Sequence, residues 1–266
     1  MMSKSFSSET PGTPAATSPA VSVVVPVLNE AENISFLVQE IADALGHIAE
    51  FEIIFVDDGS TDATPKVLSD LRLSVTSLRF LRHQKPSGQS AAVHTGVRAA
   101  SFQLIATLDG DGQNVPADIP ELLHHYLLHS GPDGKLLVAG WRKGRKDKLT
   151  KRIASKIANS IRSTVLGDKT PDTGCGLKVF RRDDYLSFPA FNHMHRFLPA
   201  LMIRSGGRVL SAEVSHRPRQ QGVSNYGILD RLWFGVSDLF GVAWLTRRSV
   251  NVVIETEKSS EQDTKT

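Results

Sequence analysis

The sequence predicts an α/β domain, a mainly parallel sheet flanked by helices, on three observations. The run Val21-Ser-Val-Val-Val-Pro-Val-Leu28 is β-branched throughout, as in a strand buried on both faces. Short apolar runs then alternate with segments whose apolar residues recur at helical spacing, the pattern of right-handed βαβ units. Two of those runs end directly in paired acids, Asp57-Asp58 and Asp109-Gly-Asp111. Sheets of this kind bind ligands at the carboxyl ends of their strands.

After the first strand, Ile34, Leu37, Val38, Ile41 and Leu45 keep the spacing of one helical face. A strand over Phe51–Val56 follows, then the turn Asp57-Asp-Gly-Ser-Thr61 and a helix ending near Leu71, capped from Ser60 or Thr61. A strand at Leu78–Leu81 leads through a polar loop into a helix over Gln89–Ala100. Strands at Leu104–Leu108, Leu136–Ala139 and Leu177–Phe180 complete the sheet. The topology puts Asn29, Glu30, Asp57, Asp58, Asp109 and Asp111 on one rim.

The 266 residues suffice for one large domain, with 40% hydrophobic and 22% charged residues as in an ordinary globular protein. We expect that domain over residues 21–222, an amphipathic helical segment over 223–250, and disordered tails at 1–20 and 251–266, which are polar or rich in Ser, Thr, Pro and Ala. The single cysteine, Cys175, excludes an internal disulfide and suits a reducing, cytoplasmic setting. No uncharged apolar run reaches 18 residues, so no transmembrane helix is expected, and the N-terminus lacks the apolar core of a signal peptide.

Four carboxylates on one rim repel unless hydrogen-bond donors or a cation neutralise them. In extended backbone, Asp109, Asp111 and Gln113 point the same way, and carboxylates with an amide suit a hard ion such as Mg²⁺ or Mn²⁺. A lone Asp-x-Asp among glycines is more readily a turn. A calcium loop is excluded, because its sixth and twelfth positions, Gly and Glu, are Asn114 and Pro120 here. No Gly-x-Gly-x-x-Gly is present, which argues against a dinucleotide dehydrogenase.

The combination decides. Val24-Val-Pro-Val-Leu-Asn-Glu30, Val56-Asp-Asp-Gly-Ser-Thr-Asp62, Ser87-Gly-Gln-Ser-Ala-Ala92 and Asp109-Gly-Asp-Gly-Gln113, in this order and spacing, resemble the family-2 glycosyltransferases of the GT-A fold. The resemblance narrows to polyprenyl-phosphate enzymes of the dolichol-phosphate mannose synthase type and covers about residues 21–248. It implies inverting, metal-dependent transfer of a sugar from a nucleoside-diphosphate donor to a polyprenyl phosphate. By the same resemblance Pro26, Leu28, Glu30, Asp57, Asp58 and Gln89 serve the donor nucleotide, and Asp109, Asp111 and Gln113 bind the metal. Asp172 becomes a candidate catalytic acid, and Arg219 and Ser224 belong to a loop closing on the donor diphosphate. That loop usually carries a lysine before its tyrosine; Asn225 stands there, before Tyr226.

The segment Arg142–Arg152 holds seven basic residues in eleven, followed by Ile153, Ile157, Ala158, Ile161 and Val165 at helical spacing. Cations beside an amphipathic helix suit a phosphate headgroup at a membrane surface, and without interleaved aromatics no nucleic acid is expected. The resemblance makes Arg142, Lys151, Arg152, Ser155 and Arg196 candidates for the acceptor phosphate. His193 and His195 lack a third ligand for zinc. Leu229, Leu232, Trp233, Val236, Leu239, Phe240 and Trp244 form one stripe before Arg247 and Arg248, either packed on the core or lying at the membrane interface. Similar enzymes often carry transmembrane helices after this point, so a membrane-protein partner is expected. Two rivals stay open: a hydroxyl acceptor, which needs a base such as Asp172 or Asp111, and a non-catalytic nucleotide-sugar binding protein.

Overall fold

The computed structural model describes residues 20–47, 50–131, 134–143, 162–218 and 228–248, with side chains beyond 236 in the last stretch. Its strands are β1 (Ala20–Val27), β2 (Glu50–Asp57), β3 (Leu78–Arg82), β4 (Leu104–Thr107), β5 (Leu136–Trp141), β6 (Lys178–Arg181) and β7 (Arg208–Glu213). They form one sheet in the order β3-β2-β1-β4-β6-β5-β7. Every pairing is parallel except those of β6, which runs antiparallel to both β4 and β5. The mainly parallel expectation therefore holds, with one reversed strand.

Helices cover both faces. They are α1 (Ala31–Leu45), α2 (Thr64–Leu71), α3 (Gln89–Ala99), α4 (Ile119–His129), α5 (Arg182–Leu186), α6 (Leu198–Arg204) and α7 (Ile228–Thr246). Side chains alternate along β1, so Val21, Val23, Val25 and Val27 join the core under α1, α2 and α4, while Val24 joins the core under α3, α5 and α6. The five spaced apolar residues of α1 are all fully buried or nearly so. At about 25 cal/mol per Å² of apolar surface, such a face stabilises its helix by several kcal/mol. On the other face Gly96 lets α3 seat directly on β1, because a Cβ there would overlap Val24.

The rim opposite the acidic residues is closed by Glu52. Its carboxylate accepts hydrogen bonds from Ser22 Oγ at 2.6 Å, Ser101 N at 2.6 Å and Arg79 NH1 at 2.6 Å. Burial opposes ionisation of Glu52, but those donors win and hold its pKa below the ordinary value.

Several elements differ from expectation. Helices α4, α5 and α6 and strand β7 were not anticipated. In α6, Pro199 sits in the first turn, where a missing N–H costs nothing. Neither Ser60 nor Thr61 caps α2. Ser60 Oγ instead accepts from Asn29 N at 2.9 Å, and Asp62 Oδ1 takes the Thr64 amide at 2.9 Å. The predicted tails at 1–20 and 251–266 lie outside the described residues, apart from Ala20 at the start of β1.

For α7, one face is packed on the core and the other is exposed. Val242 and Ala243 are buried against Leu166, Phe197 and Ala200, with Leu239 packed beside them. Phe240 and Trp244, one turn apart, are 70% and 60% exposed. Arg248 lies over the Trp244 ring at 5.3 Å. No described helix is long and apolar enough to cross a membrane.

Candidate active site

The loops leaving β1 and β2 are latched together before any ligand arrives. Asn29 takes a left-handed conformation (φ 56°), and its Oδ1 accepts from Thr61 N at 2.9 Å. Glu30 N donates to Thr64 Oγ1 at 3.0 Å, and Glu30 Oε2 accepts from Asn33 Nδ2 at 2.6 Å. Pro26, at the end of β1, lines a cavity of about 400 Å³ beside Leu108 and Asp109.

Asp57 is completely buried; its Oδ1 accepts from Ser60 N at 2.8 Å and its Oδ2 lies 3.1 Å from Arg82 Nε. Asp58 holds the next loop. It accepts from Ser87 N and Gly88 N, both at 2.8 Å, and lies 2.7 Å from His83 Nδ1. The expected cluster of four carboxylates is thus two separate pairs: Asp58 is satisfied by donors, while Asp57 is held by Ser60 N and the charge of Arg82, its buried Oδ2 without a hydrogen bond among the described residues. Among the described residues no three His, Cys, Asp or Glu side chains gather as a metal site. Asp58→Asn would leave a buried amide hydrogen facing an N–H, so we expect a loss of about 2–3 kcal/mol in urea unfolding.

Asp109 and Asp111 form the other pair, on a turn rather than on extended backbone. Gly112 adopts φ 71°, and Asp111 Oδ1 accepts from Gln113 N at 3.1 Å. The alternation expected for Asp109, Asp111 and Gln113 is therefore replaced by a tight loop. A bulky residue at Gly112 would be strained in the left-handed region. Asp109 Oδ1 accepts from Gln89 Nε2 at 2.8 Å. Burial first, and then the charge of Asp111, push the Asp109 carboxyl above the usual range, against the pull of Lys178, Arg142 and Gln89. The two carboxylates, close enough for the charge of Asp111 to act on Asp109, are oxygen donors of the kind that suit Mg²⁺ or Mn²⁺.

The loop is clamped from behind by Arg217, which sequence reasoning did not single out. Its Nε donates to Gly112 O at 2.5 Å, its backbone N to Gln113 O at 3.2 Å, and its two terminal nitrogens reach Glu40 at 2.8 and 2.6 Å. Glu40 lies on α1, so this bidentate pair ties the acidic loop to the helix after β1. The signal was in the sequence, because Arg217 stands two residues before Arg219, which the resemblance assigns to the loop closing on the donor diphosphate.

Asp172 and Arg142, assigned separate tasks above, are partners. Arg142 Nε and NH2 donate to the two Asp172 oxygens at 2.7 and 2.9 Å, with both side chains largely buried. Lys178 was also missed, although a lysine opening an apolar strand was a visible sign. It is buried beside them and donates to the Cys175 carbonyl. Burial lowers its pKa, while Cys175, Asp109 and Asp172 pull it upward. Burial raises the Cys175 thiol, which keeps it a core residue and not a nucleophile. Arg196 and His195 line the same cavity. Leu28 is half-buried at the rim. Lys151, Arg152, Ser155, Arg219 and Ser224 lie outside the described residues.

The arrangement is a cavity lined by Asp109 and Asp172 together with Arg142, Lys178 and Arg196, with Asp111 on the same turn as Asp109, and its cations suit an anionic ligand. Comparison with known proteins agrees with the fold. Glucosyl-3-phosphoglycerate synthase from Mycobacterium tuberculosis, solved with Mn²⁺, uridine diphosphate and phosphoglyceric acid, superposes with a TM-score of 0.61 at 19% identity, covering 86% of this chain and 78% of that one. In sequence, the chain is 38% identical over 235 residues to dodecaprenyl-phosphate galacturonate synthase of Rhizobium johnstonii, covering 85% of this chain and 67% of the relative. It is 30% identical to undecaprenyl-phosphate 4-deoxy-4-formamido-L-arabinose transferase of Aeromonas hydrophila, over 79% of this chain and 63% of that one. The chain thus spans about two thirds of the length of these relatives. The model of glycosyl transferase family 2 matches residues 22–186, well over half of the molecule, and the chain belongs to that family.

Proposed function

We propose that the protein transfers a sugar from a nucleoside-diphosphate donor to a polyprenyl phosphate, with inversion at the anomeric carbon. One observation carries the choice of acceptor. Of the carboxylates lining the cavity, Asp172 is held by Arg142 through both oxygens and Asp109 faces Asp111 on the donor-set turn. A hydroxyl acceptor needs a base to remove its proton. A phosphate monoester, with a second pKa of about 6, arrives already anionic and needs cations to place it. Arg142, Lys178 and Arg196 surround the space it would enter. The relatives named for dodecaprenyl- and undecaprenyl-phosphate transfer support the same reading.

Asp109, Asp111 and Gln113 would hold a divalent ion, which supplies neutralisation of the charge developing on the departing diphosphate. Asp57 and Glu30, from the ends of β2 and β1, would serve the nucleotide base and ribose, together with Pro26 and Leu28. Gln89 orients Asp109 through its amide. Arg219 and Ser224 would complete the donor side, and Lys151, Arg152 and Ser155 the acceptor side.

We place the protein at the cytoplasmic face of a membrane, bound peripherally through the outer face of α7. Phe240 and Trp244 present apolar surface there, with exposed Arg247 and Arg248 following for anionic headgroups. Phe240→Ser combined with Trp244→Ser is expected to weaken binding to anionic vesicles about tenfold or more in flotation, with the fold intact. A membrane-protein partner would fit the same face.

The test of the acceptor is a paired assay. Nucleoside-diphosphate sugars carrying different bases and sugars are offered with Mg²⁺ or Mn²⁺ to polyprenyl phosphate and, separately, to polyprenol. Transfer to the phosphate alone is expected; transfer to the alcohol alone rejects the proposal.

A further inference from the structure

We propose that His195 binds the phosphate of the acceptor through its Nε2–H, with Ser90 as the residue that holds the imidazole in that tautomer. The inference rests on the polyprenyl-phosphate reading above and adds a residue and a proton location to it.

Ser90 lies in the first turn of α3 and is almost wholly buried. Its Oγ is 3.2 Å from the backbone N of His195 and 2.7 Å from His195 Nδ1. The backbone N–H can only donate, so the oxygen accepts there. Its one O–H is then aimed at Nδ1, the other partner within reach. An imidazole nitrogen that accepts carries no hydrogen, so the ring hydrogen sits on Nε2. His195 also lines the cavity, with Arg196, Lys178 and Asp109. Among the described residues Nε2 has no hydrogen-bond partner.

The surroundings keep the ring neutral. Burial first, then the positive charges of Arg196, Lys178 and His193, hold its pKa well below the ordinary histidine value. A neutral ring with hydrogen on Nε2 has no lone pair there to take a proton, so it cannot act as a base toward the cavity. It can donate to an anion.

The acceptor phosphate, and not the donor diphosphate, is the anion favoured by position. The donor set lies on the turn after β4. His195 belongs to the segment that carries α7: Phe197 and Ala200 pack under Val242 and Ala243, and His193 Nδ1 lies 2.8 Å from Asp238 on that helix. The outer face of the same helix exposes Phe240 and Trp244, where a lipid would approach. His195 is thus joined to the lipid-facing side of the cavity.

Calorimetric titration of the full chain tests this, with farnesyl phosphate, farnesol, and UDP or GDP with Mn²⁺ as probes. His195→Phe is expected to weaken farnesyl phosphate about ten- to hundredfold while nucleoside-diphosphate binding stays within about twofold. His195→Gln, whose side-chain amide brings an N–H near the Nε2 position, is expected to stay within about threefold of wild type. Ser90→Ala should fall between them. Unchanged farnesyl phosphate affinity in His195→Phe overturns the proposal. Equal loss for the nucleoside diphosphate assigns the contact to the donor and also overturns it. A Gln variant as weak as the Phe variant would make His195 a packing residue. Wild-type protein that binds farnesol as tightly as farnesyl phosphate would instead sink the acceptor reading itself, and this inference with it.

Discussion

Asp111→Asn is expected to slow sugar transfer by about 10²- to 10³-fold, the cost of removing one group that stabilises developing charge. The reason is local. The two carboxylates of the turn confront each other closely enough for Asp111 to push the Asp109 carboxyl upward. An isolated protein has little to gain from that confrontation, whereas a divalent ion relieves it. Asparagine keeps the shape of the turn, because its carbonyl oxygen still accepts from Gln113 N. The loss should therefore appear in kcat, with thermal stability unchanged or slightly raised, since the repulsion is gone. Steady-state kinetics with saturating Mn²⁺, set beside a melting curve, separates the two. A variant with near-normal turnover would remove the pair from the chemistry.

Gly176→Ala is expected to be nearly as damaging, although residue 176 carries no functional group. Thr107 Oγ1, at the end of β4, donates to Gly176 O at 2.7 Å and draws this backbone against the turn. A Cβ at 176 would overlap all three atoms of the Asp109 carboxyl group. Either Asp109 swings away from Gln89 and the donor set, or the strand pair opens. Overpacking of this kind costs about 1–3 kcal/mol of stability, and misplacing a reacting group by about an ångström costs on the order of 10²-fold in rate. A double-mutant cycle isolates the cause. In an Asp109→Gly background the alanine at 176 meets no carboxyl, so its further effect on stability should nearly vanish. An undiminished effect would locate the damage elsewhere.

Much of this was legible in the sequence because it depends on local pattern. Buried parallel strands are β-branched throughout, so β1 and β2 announced themselves, and a helix with one buried face repeats every three to four residues, as α1 does. Since the loops after parallel strands share one rim, the acidic turns could be placed together before any coordinates. What was missed depends on pairing across long separations. That Asp172 is neutralised by Arg142, or that Arg217 grips Glu40 on α1, follows from how the chain returns, and neither spacing nor composition records it. Likewise the rim carboxylates looked equivalent, but amides of Ser87 and Gly88 hold Asp58, Ser60 N and the charge of Arg82 hold Asp57, and Asp109 and Asp111 form a separate pair in which one charge raises the other's pKa. Helix α4 was overlooked because its three histidines and the proline at its start dilute the apolar face that Ile119, Leu122, Leu123 and Tyr126 bury.

The most direct test measures sugar incorporation into undecaprenyl phosphate by wild-type protein, with Mn²⁺ or Mg²⁺ supplied and then with both removed by a chelator. The account predicts a phosphate-linked glycolipid that forms with the ion, stops on chelation, and resumes when the ion returns. Undiminished glycolipid formation in the chelated enzyme would contradict it.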